Sequence, residues 1–183
     1  MRIAILSDIH GNPIALEAVL EDARSMDVEG YWILGDLVAI GFSPVEVLER
    51  LSQLENSTIV RGNTDRYVVT GEGPPPTRED AKSNPEHVDA VTEMAASFGW
   101  TRGFVSAHGW FDWLADLPME KRVTLPNGTR SLLVHSSPGR DDGSGLHPGL
   151  SNLEIQELIQ GCTADLVCVG HTHEVLHRQL ART

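Results

Sequence analysis

The feature that most constrains this chain is the way its apolar residues change period. Arg2–Ser7 ("RIAILS") is a short branched apolar run, the pattern of a buried strand. Asn12-Pro13 then supplies a helix cap and a first-turn proline, and Ile14, Leu16, Val19 and Leu20 make one helical face through Met26. "GYWILGD" reads as a second strand. Ser43-Pro44 opens a second helix with a stripe of Val45, Val47, Leu48, Leu51 and Leu54, and "STIVRGN" reads as a third strand. This β-α-β-α-β order argues for an α/β fold with a parallel or mixed sheet.

From Thr70 to Asn84 the pattern breaks into "TGEGPPPTREDAKSN", the composition of a loop or mobile lid. Pro85 to Phe98 predicts a helix, with Val88, Val91, Met94 and Phe98 three to four apart, and a second runs from about Thr101 to Ala115. The reading is one domain over 1–183, with a lid-like loop and helical insertion at about 70–118. Trp100, Trp110 and Trp113 fall there and are assigned to the core. His108 is assigned a structural role; His87 and His177 are given none. "KRVTLPNGTRSLLVHSSP" reads as a hairpin about Asn127-Gly128. Ser151–Gln160 predicts a helix, and "ADLVCV" the last strand.

Charge and cysteine usage narrow the function classes. A formal net charge of −12 argues against binding duplex nucleic acid, which calls for a basic face. It would repel phosphate substrates too, unless bound cations reverse the field locally. Cys162 and Cys168 fit neither a disulfide framework nor a zinc-finger spacing, so a reducing cytoplasm is expected. No apolar run reaches the length of a membrane span, and the opening is too short and polar for a signal peptide.

The polar residues fall in one kind of place. "SDIHGN" puts Asp8 and His10 after the first strand, "LGDLVAIG" puts Asp36 after the second, and "RGNTD" puts Asn63 after the third. "LVHSSP" puts His135 after the hairpin's second strand, and "VGHTHE" puts His171 and His173 after the last. A carboxylate after a strand is often only a helix cap, and an asparagine only turn chemistry. Histidines after separate strand ends, each beside Gly or Ser, do not reduce to that. In α/β sheets the carboxyl edge is where ligands bind. Two aspartates, one amide oxygen and four imidazoles are too many groups for one ion and suit two ions sharing a carboxylate. Mixed N/O ligation without thiolate favours Mn²⁺, Fe or Zn²⁺ over Ca²⁺ or a structural zinc. Two such ions about 3.5–4 Å apart clamp a phosphoryl group and acidify a water between them.

In order and spacing, "DIHGN", "GDLVAIG", "GNTD", "VHSSP" and "GHTH" resemble the five blocks of the calcineurin-like metallophosphoesterases, closest to their small prokaryotic branch. The resemblance implies a sandwich of two sheets flanked by helices. It implies one ion on Asp8, His10 and His173, another on Asn63, His135 and His171, and Asp36 bridging them. The implied activity is hydrolysis of a small phosphate ester, a diester or an activated monoester, through a metal-activated hydroxide. Asp36 and Asn63 would be catalytic, with Asn63 and Thr64 touching substrate. Two divalent ions are implied, Mn first, with Fe, Zn or Ni as alternatives. No membrane partner is expected, and a homo-oligomer is left open. The alternative is a catalytically weak, metal-bearing scaffold of the same fold, against which all seven ligand positions are filled.

Two departures stand out. The third block usually carries a histidine that protonates the leaving group, and here Thr64 takes its place. Family members also continue past the last block with further strands. Only Val175–Leu180 is available here, so the C-terminal strands are expected to be short or missing.

Overall fold

The computed structural model describes residues 1–180. Its first sheet joins β1 (Ile3–Leu6), β2 (Gly30–Ile33) and β3 (Ser57–Ile59) in that order, all parallel, with Ile3 opposite Gly30 and Tyr31 opposite Ser57. The crossovers are helical: α1 (Pro13–Ser25) and α2 (Pro44–Ser52). Each starts with a first-turn proline, whose missing N–H is no loss there. Asn12 Oδ1 caps α1 by accepting from Ala15 N at 3.1 Å.

In the second sheet, β4 (Glu120–Thr124) and β5 (Arg130–Val134) are antiparallel, and β6 (Leu166–Cys168) lies parallel to β5 after the short α7 (Asn152–Leu158). The sheets pack through β2, which is buried on both faces. Its side chains alternate with the strand period of two. Tyr31 and Ile33 join Leu16, Leu20, Leu48 and Leu51 in the core under the helices. Trp32 and the following Leu34 join Val60, Leu133 and Cys168 between the sheets. Burying such a side chain is worth about 1.5–3 kcal/mol. The two-sheet α/β architecture is the expected one.

Several local expectations are corrected. The buried stripe of α1 is Leu16, Leu20 and Ala23, with Ile14 and Val19 exposed, because residues four and seven apart share a face. The third strand ends at Ile59, and Asn63–Thr70 forms a helix, α3, that was not anticipated. The stretch expected to be loop contains α4 (Arg78–Ser83), started by a reciprocal Thr77–Asp80 capping box. Instead of two helices over 85–115 there is a single turn of 3-10 helix, then α5 (Val88–Ala107), then α6 (Phe111–Ala115). Gly99 does not break α5. A mid-helix glycine costs about 1 kcal/mol relative to alanine, less than burial of Phe98 and Val105 on either side returns.

Trp110 and Trp113 do pack on the core, edge to face at 5.7 Å. Trp100 does not: it is 49% exposed, stacked on Phe104 at 5.3 Å. His108 is exposed, its Nδ1–H donating to Phe104 O at 2.8 Å near the end of α5. Val175–Leu180 form no strand. Among the described residues, no helix is long and apolar enough to cross a membrane.

Candidate metal centre

All seven candidate ligands follow the carboxyl ends of five strands. Asp8 and His10 lie between β1 and α1, Asp36 beyond β2, and Asn63 opens α3 beyond β3. His135 follows β5 directly, and His171 and His173 follow β6. The loops are laced by backbone hydrogen bonds: Asp8 N to Gly35 O at 3.0 Å, and His10 N to Asp36 O at 2.8 Å. Their backbone is strained. Asp8, His10, Asp36, His171 and His173 have φ between 50° and 72°, and they are five of the eight non-glycine residues in the left-handed region among those described. That region costs a residue with a Cβ about 1–3 kcal/mol, and such strain clusters at functional sites. Glycines let the loops close. A Cβ on Gly62 would sit 2.1 Å from Asp36 Oδ1, and one on Gly170 would sit 1.8 Å from Ser7 Oγ.

The side chains converge as acceptors. His135 Nε2 lies 3.4 Å from Asp36 Oδ2 and 4.0 Å from Asp8 Oδ1. His10 Nε2 lies 3.7 Å from Asp36 Oδ2 and 4.0 Å from Asp8 Oδ1. His173 Nε2 is 3.2 Å from Asp8 Oδ1, yet that buried oxygen accepts no hydrogen bond among the described residues. Asp8, His10 and His173 form one group of donor atoms within 4.8 Å of one another, and Asp8, Asp36 and His135 a second.

Backbone carbonyls decide which ring nitrogens face inward. His10 Nδ1 meets Ala39 O at 3.2 Å, His135 Nδ1 meets Leu34 O at 2.6 Å, and His171 Nε2 meets Gly143 O at 2.7 Å. A ring nitrogen on a carbonyl must carry the proton, so the opposite nitrogen of each ring faces the centre and offers it a lone pair when the ring is neutral. The end of the Asn63 amide touches further acceptors: His171 Nδ1 at 2.9 Å, His135 Nε2 at 3.1 Å and Asp141 O at 3.3 Å. Without a cation, the NH₂ belongs there; a cation would turn the oxygen inward. Lone pairs gathered round an unpaired buried carboxylate oxygen fit divalent metal.

Electrostatics agree. Burial opposes charge on His135, but the Asp36 carboxylate outweighs it and His135 holds its proton above the ordinary histidine range. Burial also opposes charge on Asp36, but His135 and the Thr64 N–H, 2.9 Å from Asp36 Oδ1, bring Asp36 below the ordinary carboxylate range.

Three further residues escaped the sequence reading. Asp65 is fully buried and accepts from Gly62 N at 2.8 Å, Leu37 N at 2.9 Å and Val38 N at 3.3 Å, clamping the third block to the second. Burial, with the Asp36 charge, pushes its carboxyl up to about 7. Arg66 and Asp141 pair beside the centre, Nε to both carboxylate oxygens at 3.0 Å. The "RGNTDR" run held the signal for Asp65 and Arg66; nothing local marked Asp141. Thr64 is buried, its Oγ unpaired among the described residues. The 71–79 segment lines a cavity of about 480 Å³ with α3 and α5, and none of the seven candidate ligands lines it.

The calcineurin-like phosphoesterase superfamily domain matches residues 1–183, and the chain belongs to that superfamily. An uncharacterized protein of Methanocaldococcus jannaschii is 28% identical over 174 residues, 93% of this chain and 62% of its own length. The crystal structure of a metallophosphoesterase from Sphaerobacter thermophilus superposes with a TM-score of 0.68 at 28% identity, covering 94% of this chain and 61% of that one. Phosphodiesterase YfcE of Escherichia coli is 36% identical over 77 residues, 37% of this chain and 42% of its own length. The chain thus spans less than two thirds of the length of these relatives.

Proposed function

We propose that this calcineurin-like phosphoesterase domain hydrolyses a small phosphate ester, a diester or an activated monoester, with two divalent cations held at its strand ends. The observation that carries the reading is the convergence of acceptor atoms on the buried, unpaired Asp8 Oδ1. In it, Asp8, His10 and His173 hold one ion, Asn63, His135 and His171 the other, and Asp36 is shared. Manganese suits the nitrogen and oxygen donors best, with iron, zinc or nickel as alternatives. When bound, the ions supply positive charge to phosphate oxygens and lower the pKa of a coordinated water.

The chain's own groups do the rest. In this reading Asn63 and the Thr64 hydroxyl donate to phosphate oxygens; the buried hydroxyl has no other partner among the described residues. A threonine hydroxyl is too weak an acid to protonate an alkoxide, so esters whose leaving group bears its own charge are favoured. Tyr67, one helical turn or about 6 Å beyond Asn63 along α3, lines the cavity, and in this reading the ester's organic group lies on that side. The kinship with a phosphodiesterase supports a diester, and the free thiols Cys162 and Cys168 support a reducing, cytoplasmic setting. The test is purified protein with Mn²⁺ against nitrophenyl mono- and diesters. Hydrolysis abolished by chelator and restored by Mn²⁺ is expected; no hydrolysis of either class would overturn the reading.

A further inference from the structure

We infer that Arg66 is a positioning residue that fixes one half of the metal centre, the half built from Asn63, His135 and His171, without touching a cation. The inference rests on the two-cation reading above. Arg66 follows Asn63 by three residues and so shares its face of α3. Its guanidinium is mostly buried and fully engaged. Nε donates to both oxygens of Asp141 at 3.0 Å, Nη2 donates to Asp142 Oδ2 at 2.7 Å, and Nη1 pairs with Glu72. The group also lies 4.7 Å over the Tyr67 ring. A planar fork held on several sides fixes direction as well as distance, which a point charge does not.

What this grip holds in place is a run of backbone. The carbonyls of Asp141 and Gly143 meet two side chains of that half of the centre, and the carbonyl between them holds the residue that follows His135. Asp141 O lies 3.3 Å from the Asn63 amide, Asp142 O accepts from Ser136 Oγ at 2.7 Å beside His135, and Gly143 O meets His171 Nε2 at 2.7 Å. The last contact selects the His171 tautomer that leaves Nδ1 free to face inward. Asp8, His10 and His173 have no such contact with this run among the described hydrogen bonds; Asp8 instead accepts from the backbone N–H of His171. A surface ion pair would be worth little and affect neither cation. A fork that orients three carbonyls should act on one cation and spare the other.

The experiment is stepwise Mn²⁺ binding to the whole chain by titration calorimetry, with electron paramagnetic resonance for the exchange-coupled pair. In Arg66→Gln one of the two cations should bind 10–100-fold less tightly, the range for loss of a group that orients a ligand. The other should bind as before, and the coupled signal should give way to that of a lone Mn²⁺. Arg66→Lys should recover only part of the affinity. If Arg66→Gln does not fold, Asp142→Asn weakens the more exposed of the fork's two aspartate partners and should give a smaller loss in the same cation. Two cations bound unchanged, or both weakened equally, would overturn the inference and leave the two-cation reading standing. A wild-type chain that takes no second cation would overturn both.

Discussion

The backbone N–H of His171 donates to Asp8 Oδ2 at 3.0 Å, tying the last strand end to the first across 163 residues. One carboxylate therefore has two tasks, because its other oxygen lies unpaired among the imidazoles. The tasks are separable. Asp8→Asn keeps an oxygen for the His171 N–H but puts a neutral amide where the cation's charge partner stood. It should lose at least one equivalent of metal by elemental analysis while its urea midpoint in chelator stays close to wild type. Asp8→Ala should lose both, with a further cost of about 1–3 kcal/mol for the stranded N–H. An Asn variant retaining its full metal content would refute the assignment of Asp8.

Asp65 is predicted to matter for stability and not for metal. Its carboxylate accepts three buried backbone N–H groups, two of them on the second block. Asp65→Asn turns an NH₂ towards at least one of those donors, and each stranded buried donor costs about 1–3 kcal/mol. Urea unfolding in chelator should show a loss in that range. An unchanged midpoint would mean that the three N–H groups find other partners.

These two aspartates mark the limit of what the sequence discloses. The strand ends could be read because apolar runs stop where metal-capable residues begin, and "GYWILGD" could be read as a strand, while the burial of β2 on both faces comes only from the structure. Asp65 could not be assigned, because its partners Leu37 and Val38 lie 28 and 27 residues away and act through backbone that any side chain provides. The same holds for Gly143, whose contribution is a carbonyl. Nor did α3 show itself: "NTDRYVVT" is rich in β-branched residues of weak helix propensity, and Asn-Thr-Asp resembles a turn. Trp100 was misplaced because the apolar residues of α5 are spread round the helix, so its period does not say which face is covered.

The pairing of His135 with Asp36 gives the metal-free protein a pH dependence of known sign. His135 has a folded pKa above its ordinary 6.5, so its support is complete below pH 6.5 and is lost as pH rises through the folded value. Asp36 has a folded pKa below its ordinary 3.8, so its support is present above that and is lost as pH falls through the folded value. A cation needs the lone pair that this proton occupies on His135. As pH rises above 6.5 and this proton leaves, the rise in Tm produced by Mn²⁺ should therefore grow, while the pair's support for the metal-free protein declines. Differential scanning fluorimetry with and without Mn²⁺ measures the first trend directly. A Mn²⁺ effect that shrinks with rising pH would contradict His135 as a ligand.

Thr64 offers the sharpest separation of stability from function. Its Oγ is buried and unpaired among the described residues, so in the free protein the hydroxyl is a cost. Thr64→Val keeps the shape and removes that group, so Tm in the absence of substrate should stay level or rise. If the hydroxyl donates to a phosphate oxygen, the variant loses a hydrogen bond to a charged acceptor, worth about 1.5–3 kcal/mol. That corresponds to a fall in kcat/KM of about ten- to a hundredfold on a nitrophenyl ester, since about 1.4 kcal/mol is tenfold. Thr64→Ser, which restores a hydroxyl, should recover most of it. Thr64→His is the less informative substitution. The Asp65 oxygens already accept backbone N–H groups and are not free to orient a new imidazole, and the larger ring would overpack a buried position at a cost of about 1–3 kcal/mol. A Val variant as active as wild type would remove Thr64 from the substrate contacts and leave Asn63 as the donor at that edge.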